Sequence, residues 1–301
     1  MTWDLPGYGD IRKIFCHSLL LWAWNWLDSI THGLALYDSP EGVQHFQAPP
    51  SAPSSRIKGG VSSLIDALFE KLDVSLSFEN SVLSITQRED SLSVECSEGI
   101  YEADRIISTL PPRLVSESIV FDPELPEKIK TDFQNTPTWM GYSAKCVIEF
   151  DSAFWKEEGL SGFAFSHLGP LGEIHDACTE ESAALFGFLH SQAKMENIEE
   201  QVQTQLIRLY GEKASHPKNI YLIDWKKEAY TSTHLDALPL REHPSYGFDA
   251  SHFDGKLLFS GTESVFQEGG YLEGAINAAK VAASKLRSHK KEHHKKEYYG
   301  Y

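Results

Sequence analysis

The stretch Lys256–Ala279, KLLFSGTESVFQEGGYLEGAINAA, constrains the fold of this 301-residue chain more than any other. Leu257–Ser260 reads as a short buried strand and Gly261–Glu263 as a turn. A polar loop follows, and Gly269-Gly270-Tyr271 opens a helix expected to run to about Leu286. A strand that feeds a glycine pair and then a helix aims backbone N–H groups at an anionic or electron-rich ligand. Gly270 adds close backbone approach, since no Cβ stands in the way.

Charge narrows the partners. With 27 basic against 43 acidic residues the net charge is −16, which argues against nucleic acid and anionic membrane. Four cysteines (Cys16, Cys96, Cys146 and Cys178) show no paired spacing and read as free thiols. The longest apolar run, Ile14–Leu27, is interrupted by His17, Ser18 and Asn25 and is too short to cross a bilayer. No signal-peptide pattern opens the chain. The expectation is a soluble intracellular protein without a transmembrane anchor.

Residues 1–37 read as helical and rich in Trp and Leu, and Tyr37–Ser55 as a Pro- and Ser-dense loop. Arg56-Ile57-Lys58-Gly59-Gly60 then opens an amphipathic helix, Val61–Leu72, with Leu64, Ile65, Leu68, Phe69 and Leu72 on one face. Strands are expected at Val74–Phe78, Val82–Gln87, Ser91–Cys96 and Arg105–Thr109, the last ended by Pro111-Pro112. A helix at Pro126–Phe133 and strands at Met140–Phe150 and Lys218–Trp225 follow. The tail, Ser288–Tyr301, with HKKEHHKKE, reads as disordered. This order, neither a sustained βα alternation nor a meander, predicts two interleaved subdomains of mixed α/β class.

The Lys256–Ala279 block resembles the C-terminal flavin-binding signature of the FAD-dependent amine oxidase family. RIKGG at Arg56–Gly60 is similar to that family's basic–glycine pair before a helix. The run from Asn80 to Pro126 resembles its strand–strand–ADxVIxTxPP pattern, here ADRIISTLPP. WMGYSAKCVIEFDSAFW, Trp139–Trp155, is similar to the strand that carries the family's lysine beside the flavin. DWKKEAY, Asp224–Tyr230, resembles the segment that sets a tryptophan near the ring. The resemblance covers roughly residues 54–160 and 220–287.

It implies an α/β (mixed α+β) fold: a partial FAD/NAD(P)-binding domain interleaved with an amine-oxidase-type substrate domain of mixed sheet plus helices. Residues 54–125 and 227–287 would be the FAD-binding pieces, 1–53 and 126–226 the substrate domain, and 288–301 a tail. It implies catalytic roles for Lys145, Tyr271 and Trp225, and FAD contacts from Val82, Gly261, Thr262, Glu263, Gly270, Tyr271 and Leu272. From its residues alone, Lys145 reads as an edge or snorkelling lysine with its head in water, since burying an ammonium is costly. Tyr271 and Trp225 are equally core aromatics, and Val82 equally a plain strand residue. By resemblance, Lys145 would hold a water near the flavin and Tyr271 would form one wall of an aromatic cage for the amine. No tyrosine stands at His234-Leu235, where the opposite wall is expected; Tyr230 and Tyr246 are near in sequence. No cysteine is present there either, so the FAD would be non-covalent.

One family feature has no match. The strand–GxGxxG–helix with an acidic residue further on is not found, and Gly7-Tyr8-Gly9-Asp10 offers two glycines without a strand before them. The chain is therefore expected to begin within the family's substrate domain. The function implied is oxidation of a primary or secondary amine to an imine, with O2 reduced to H2O2. The alternatives are an inactive truncated product and a non-catalytic binding protein that reuses the substrate domain. No metal site is expected.

Overall fold

The computed structural model describes residues 33–47, 57–191, 193–248 and 251–298. In chain order the strands and helices are β1 (Leu34–Ser39), β2 (Gly42–Phe46), α1 (Gly60–Phe69), β3 (Val82–Gln87), β4 (Leu92–Cys96), β5 (Gly99–Ala103) and β6 (Ile106–Ser108). Then come α2 (Pro112–Ser118), β7 (Val120–Asp122), α3 (Glu127–Gln134), β8 (Ala144–Phe150), α4 (Phe154–Glu157), β9 (Leu160–Ser166), β10 (Leu171–Asp176) and β11 (Ala183–Leu189). The last are α5 (Ile198–Tyr210), β12 (Asn219–Asp224), β13 (Ser251–His252), β14 (Leu257–Phe259) and α6 (Leu272–Tyr298). They fall into two compact units, one from residues 61–141 with 228–298 and the other from 33–60 with 142–227.

The second of these is built on a seven-stranded mixed sheet of order β12-β8-β11-β10-β9-β1-β2. Strand alternation gives it two faces. Ala144, Cys146, Ile148 and Phe150 of β8 join Leu185, Ile174, Ala164 and Leu36 from its neighbours in one core. Helix α5 covers that face because Ile198, Val202, Leu206 and Leu209 recur at helical spacing and are all buried. The other face carries Lys145, Phe186, His175 and Phe163.

In the first unit a four-stranded sheet, β5-β4-β3-β7, accompanies a three-stranded one, β13-β14-β6. The β3–β4 hairpin is closed by Arg88 N–H donating to Ser91 O at 2.9 Å. The core gathers Ile85, Leu92, Val115, Phe121, Phe133, Leu257 and Phe259. Proline sets two helix starts, Pro112 at the first position of α2 and Pro126 just before α3, where its missing N–H costs nothing.

Several local expectations are corrected. Residues 34–37 form part of β1, which pairs in parallel with β9, so they are not helical; residues 1–32 lie outside the described residues. The expected loop from Tyr37 instead holds the β1–β2 hairpin. Val74–Phe78 is not a strand, and Val74, Leu76 and Phe78 are all exposed. A strand needs a partner ladder, and none pairs with this segment among the described residues. Helix α1 buries only Val61, while Leu64 and Leu68 are exposed, as is Leu72 beyond its end. Helix α6 continues to Tyr298 rather than stopping near Leu286.

Candidate functional site

The strand–turn–helix block forms as its sequence implies. β14 is fully buried and pairs in parallel with β6, Leu258 opposite Ile107. Gly261 then caps a short 3-10 turn, Thr262–Ser264. A Cβ on Gly261 would stand 2.8 Å from Glu263 Oε2, so the carboxyl folds back over its own turn. Glu263 is buried, and burial pushes its carboxyl up to about 7, with the charge of Asp236 acting in the same direction. Thr262 Oγ1 donates to Tyr271 O at 2.8 Å, joining the turn to the helix entry.

Gly270 has φ of +83°, a conformation that favours glycine. A Cβ there would lie 2.9 Å from the Tyr246 ring and 3.1 Å from His243 Nε2. Tyr271 and Leu272 follow as α6 begins. Both are half-buried. Desolvation pushes the Tyr271 hydroxyl up, with Glu268 adding to it. Gly261, Thr262, Glu263, Gly270, Tyr271 and Leu272 thus lie along one turn and the helix entry tied to it. Val82 stands apart from them as the first residue of β3, in the other sheet of the same unit, opposite Cys96.

Sequence reasoning missed the aromatic neighbours of Tyr271. The His243 imidazole stacks on its ring, with centroids 5.1 Å apart and planes 7° off parallel. Trp139 packs on the same imidazole at 4.8 Å, and Tyr246 meets it edge-on at 5.5 Å. Tyr246 is buried, donates its hydroxyl to Pro137 O at 2.9 Å, and has that hydroxyl pushed up by burial. Tyr230 is exposed and its hydroxyl lies 3.3 Å from Ser81 Oγ. Nothing in the periodicity of LREHPSYG marks His243; only its HP dipeptide signals a turn.

A buried staple supports this neighbourhood. Asp236 Oδ1 accepts from Arg113 Nη1 at 2.6 Å and from Thr138 N–H at 2.9 Å, while Oδ2 accepts from Thr233 N–H at 3.0 Å. Leu235, where a cage wall is expected by resemblance, sits in the same short turn and is exposed. A separate cleft of about 360 Å3 opens between β14 and α6, lined by Phe248, Leu258, Phe266, Asn277, Val281 and Lys285 among others. It contains none of the site residues named above.

Lys145 and Trp225 belong to the other unit. Strand β8 lies between β12 and β11, so Lys145 is on an interior strand and not at an edge. It is only 7% exposed, and its Nζ sits 4.4 Å from the centroid of the Phe186 ring and 6.0 Å from that of Phe188. A desolvated ammonium over ring faces is held by their quadrupoles. Beyond Phe186 on the same face, His175 stacks at 4.9 Å, with Glu173 Oε2 3.5 Å from its Nε2. Trp225 is buried directly after β12, and its backbone N–H donates to Ser143 O at 3.0 Å. Because Ile223 pairs with Lys145, the two predicted residues stand at the same end of neighbouring strands. The cysteines Cys96, Cys146 and Cys178 are free, and burial pushes the Cys146 thiol up to about 12, which makes it inert. Cys16 lies outside the described residues.

Comparison with known proteins decides the family. The model of the flavin containing amine oxidoreductases matches residues 18–287. This chain belongs to that family. Amine oxidase [flavin-containing] A of Sus scrofa is 26% identical over 247 residues, covering 77% of this chain and 46% of that protein. Amine oxidase [flavin-containing] of Danio rerio is 25% identical over 247 residues, 77% of this chain and 47% of the relative. Among solved structures, putrescine oxidase with putrescine bound superposes with a TM-score of 0.62 at 24% identity, over 76% of this chain and 53% of that one. Cyclohexylamine oxidase from Brevibacterium oxydans gives 0.58 at 22%, over 76% and 52%. These likenesses show the mixed α+β fold of the flavin amine oxidases for this chain. The chain spans about half the length of the curated relatives it matches. Among the described residues, no helix is long and apolar enough to cross a membrane.

Proposed function

We propose that this amine oxidoreductase oxidises a small primary or secondary amine to an imine, with O2 as the final acceptor and H2O2 as the product. The observation that carries the reading is the glycine–tyrosine entry to α6. Gly270 adopts a positive φ, and the turn before it holds the buried carboxyl of Glu263. A helix start of this kind leaves backbone N–H groups for an electron-rich group. A bound flavin would supply the two-electron acceptor, and the chain would supply position and electrostatics.

In this reading Gly261, Thr262, Glu263, Gly270, Tyr271 and Leu272 hold the ring end of a non-covalent FAD, and Val82 contributes backbone further along it. Tyr271 presents an aromatic ring to the amine. Lys145 places its amine nitrogen at an apolar, aromatic sheet face, where a hydrogen-bond donor has the most effect on developing negative charge. Trp225 closes the end of the strand beside it. Residues 54–125 with 227–287 would be the FAD-binding pieces, and 126–226 would bind substrate. The test is to incubate the purified chain with FAD and measure bound flavin, then peroxide release with benzylamine, putrescine and spermidine. Flavin that binds without any amine-dependent peroxide would overturn the reading and favour a non-catalytic role.

A further inference from the structure

We propose that the cleft between β14 and α6 binds a small aryl-alkyl monocarboxylate, with Lys285 taking the carboxylate. The site is separate from the proposed oxidation, and neither flavin nor amine is needed for it.

The first support is the wall. At about 360 Å3 the cleft has the size of a small-molecule site, and its lining is mostly apolar and aromatic. Phe248 and Leu258 contribute to it, as do Ala278, Val281 and Ala282 of α6. Phe266 is 83% exposed and Val281 48%, so the lining leaves apolar surface open to water. The Phe266 ring is nevertheless held in place. Gly247 has φ of +103°, and a Cβ there would stand 2.6 Å from that ring, which therefore rests on bare backbone. A ligand that covers Phe266 and Val281 removes this surface from water.

The second support is charge. Lys285 is the only charged residue in the lining, and it is half-buried. It has no ion pair among the described residues. The α6 positions three and four residues away, Val281, Ala282, Ser288 and His289, supply no carboxylate. A single cation in an apolar setting suits one negative charge, not a phosphate or a dicarboxylate. It also prefers a carboxylate to a neutral amide of the same shape, because the hydrogen bond is then charge-assisted at both ends.

The third is length. Asn277 and Lys285 both line the cleft and stand eight residues apart on α6, about 12 Å along its axis. A phenyl ring joined to a carboxylate by a propyl chain matches that span. With its carboxylate at Lys285, the ring reaches the Asn277 end.

The experiment titrates the 301-residue chain calorimetrically with 4-phenylbutyrate and with its uncharged analogue 4-phenylbutyramide. The acid is expected to bind about tenfold more tightly than the amide. Lys285→Met keeps the stem and removes the charge, so the acid should weaken about tenfold while the amide stays within about twofold. Lys285→Arg should keep the preference, which decides the matter should the Met variant not fold. Val281→Trp, at a partly exposed position, fills the cleft and should weaken both ligands at least about tenfold, which ties binding to this place. Equal binding of acid and amide by the parent, or binding of neither, overturns the proposal. So do equal weakening of both ligands or none in the Met variant, loss of the preference in the Arg variant, and unchanged binding in Val281→Trp. None of these outcomes bears on amine oxidation.

Discussion

Glu263→Gln should stabilise the chain, and more so at alkaline than at acidic pH. The Glu263 carboxyl is buried and raised from 4.5 to about 7, mainly by desolvation. Between those two values the folded protein retains a proton that the unfolded chain has released. Stability from this group therefore falls as pH rises from about 4.5 to about 7 and is flat above that. At about 1.4 kcal/mol per pKa unit, the full cost of ionising Glu263 in the folded state is about 3 kcal/mol at pH 8 and about 1 kcal/mol at pH 5. A neutral glutamine does not ionise, so the difference between variant and parent should itself grow by about 2 kcal/mol from pH 5 to pH 8. Urea denaturation at the two pH values measures this as a midpoint difference that widens by about 1 M, with the slope unchanged. Comparing variant with parent at each pH cancels the titrating groups that do not interact with Glu263. A variant stabilised equally at both pH values, or destabilised at pH 8, would refute a charge-desolvation origin for the shift.

Three further outcomes are expected. Gly270→Ala should cost about 1–3 kcal/mol, since it combines a strained positive φ with crowding by Tyr246 and His243; thermal unfolding checks it, and an unchanged midpoint would contradict the close approach. Lys145→Met keeps the stem and the strand but removes the charge over Phe186, so folding should hold while amine-dependent peroxide release by the flavin-loaded protein falls at least about tenfold; equal activity would sink the electrostatic role. Any bound flavin should leave on acid denaturation, because Trp225–Tyr246 contains no cysteine to anchor it; flavin fluorescence that stays with the polypeptide on a denaturing gel would contradict this.

Local pattern made part of this structure legible. The β3–β4 hairpin was readable because Val82–Gln87 and Leu92–Cys96 alternate around a polar turn, and each strand finds its partner a few residues away. The α6 entry was readable because glycine and helix signals fall within one short block. Strand β1 was not, since Leu34-Ala35-Leu36 is apolar without alternation and its parallel partner β9 is remote in sequence. Val74–Phe78 shows the converse: alternation alone does not make a strand when no ladder pairs with it among the described residues.

The same distinction governs the site. Lys145 was ambiguous in sequence between an exposed edge lysine and a buried one, and only its register settles that, with β12 on one side and β11 on the other. Once the strand is interior, the ammonium cannot reach water along an edge and instead rests on Phe186, an aromatic residue far away in the chain. His243 lies further still from any local rule. It is one polar residue in a proline-containing loop, and its place comes from stacking on Tyr271, from its contact with the Pro244 carbonyl, and from a glycine that leaves room for Nε2, none of which a local pattern records.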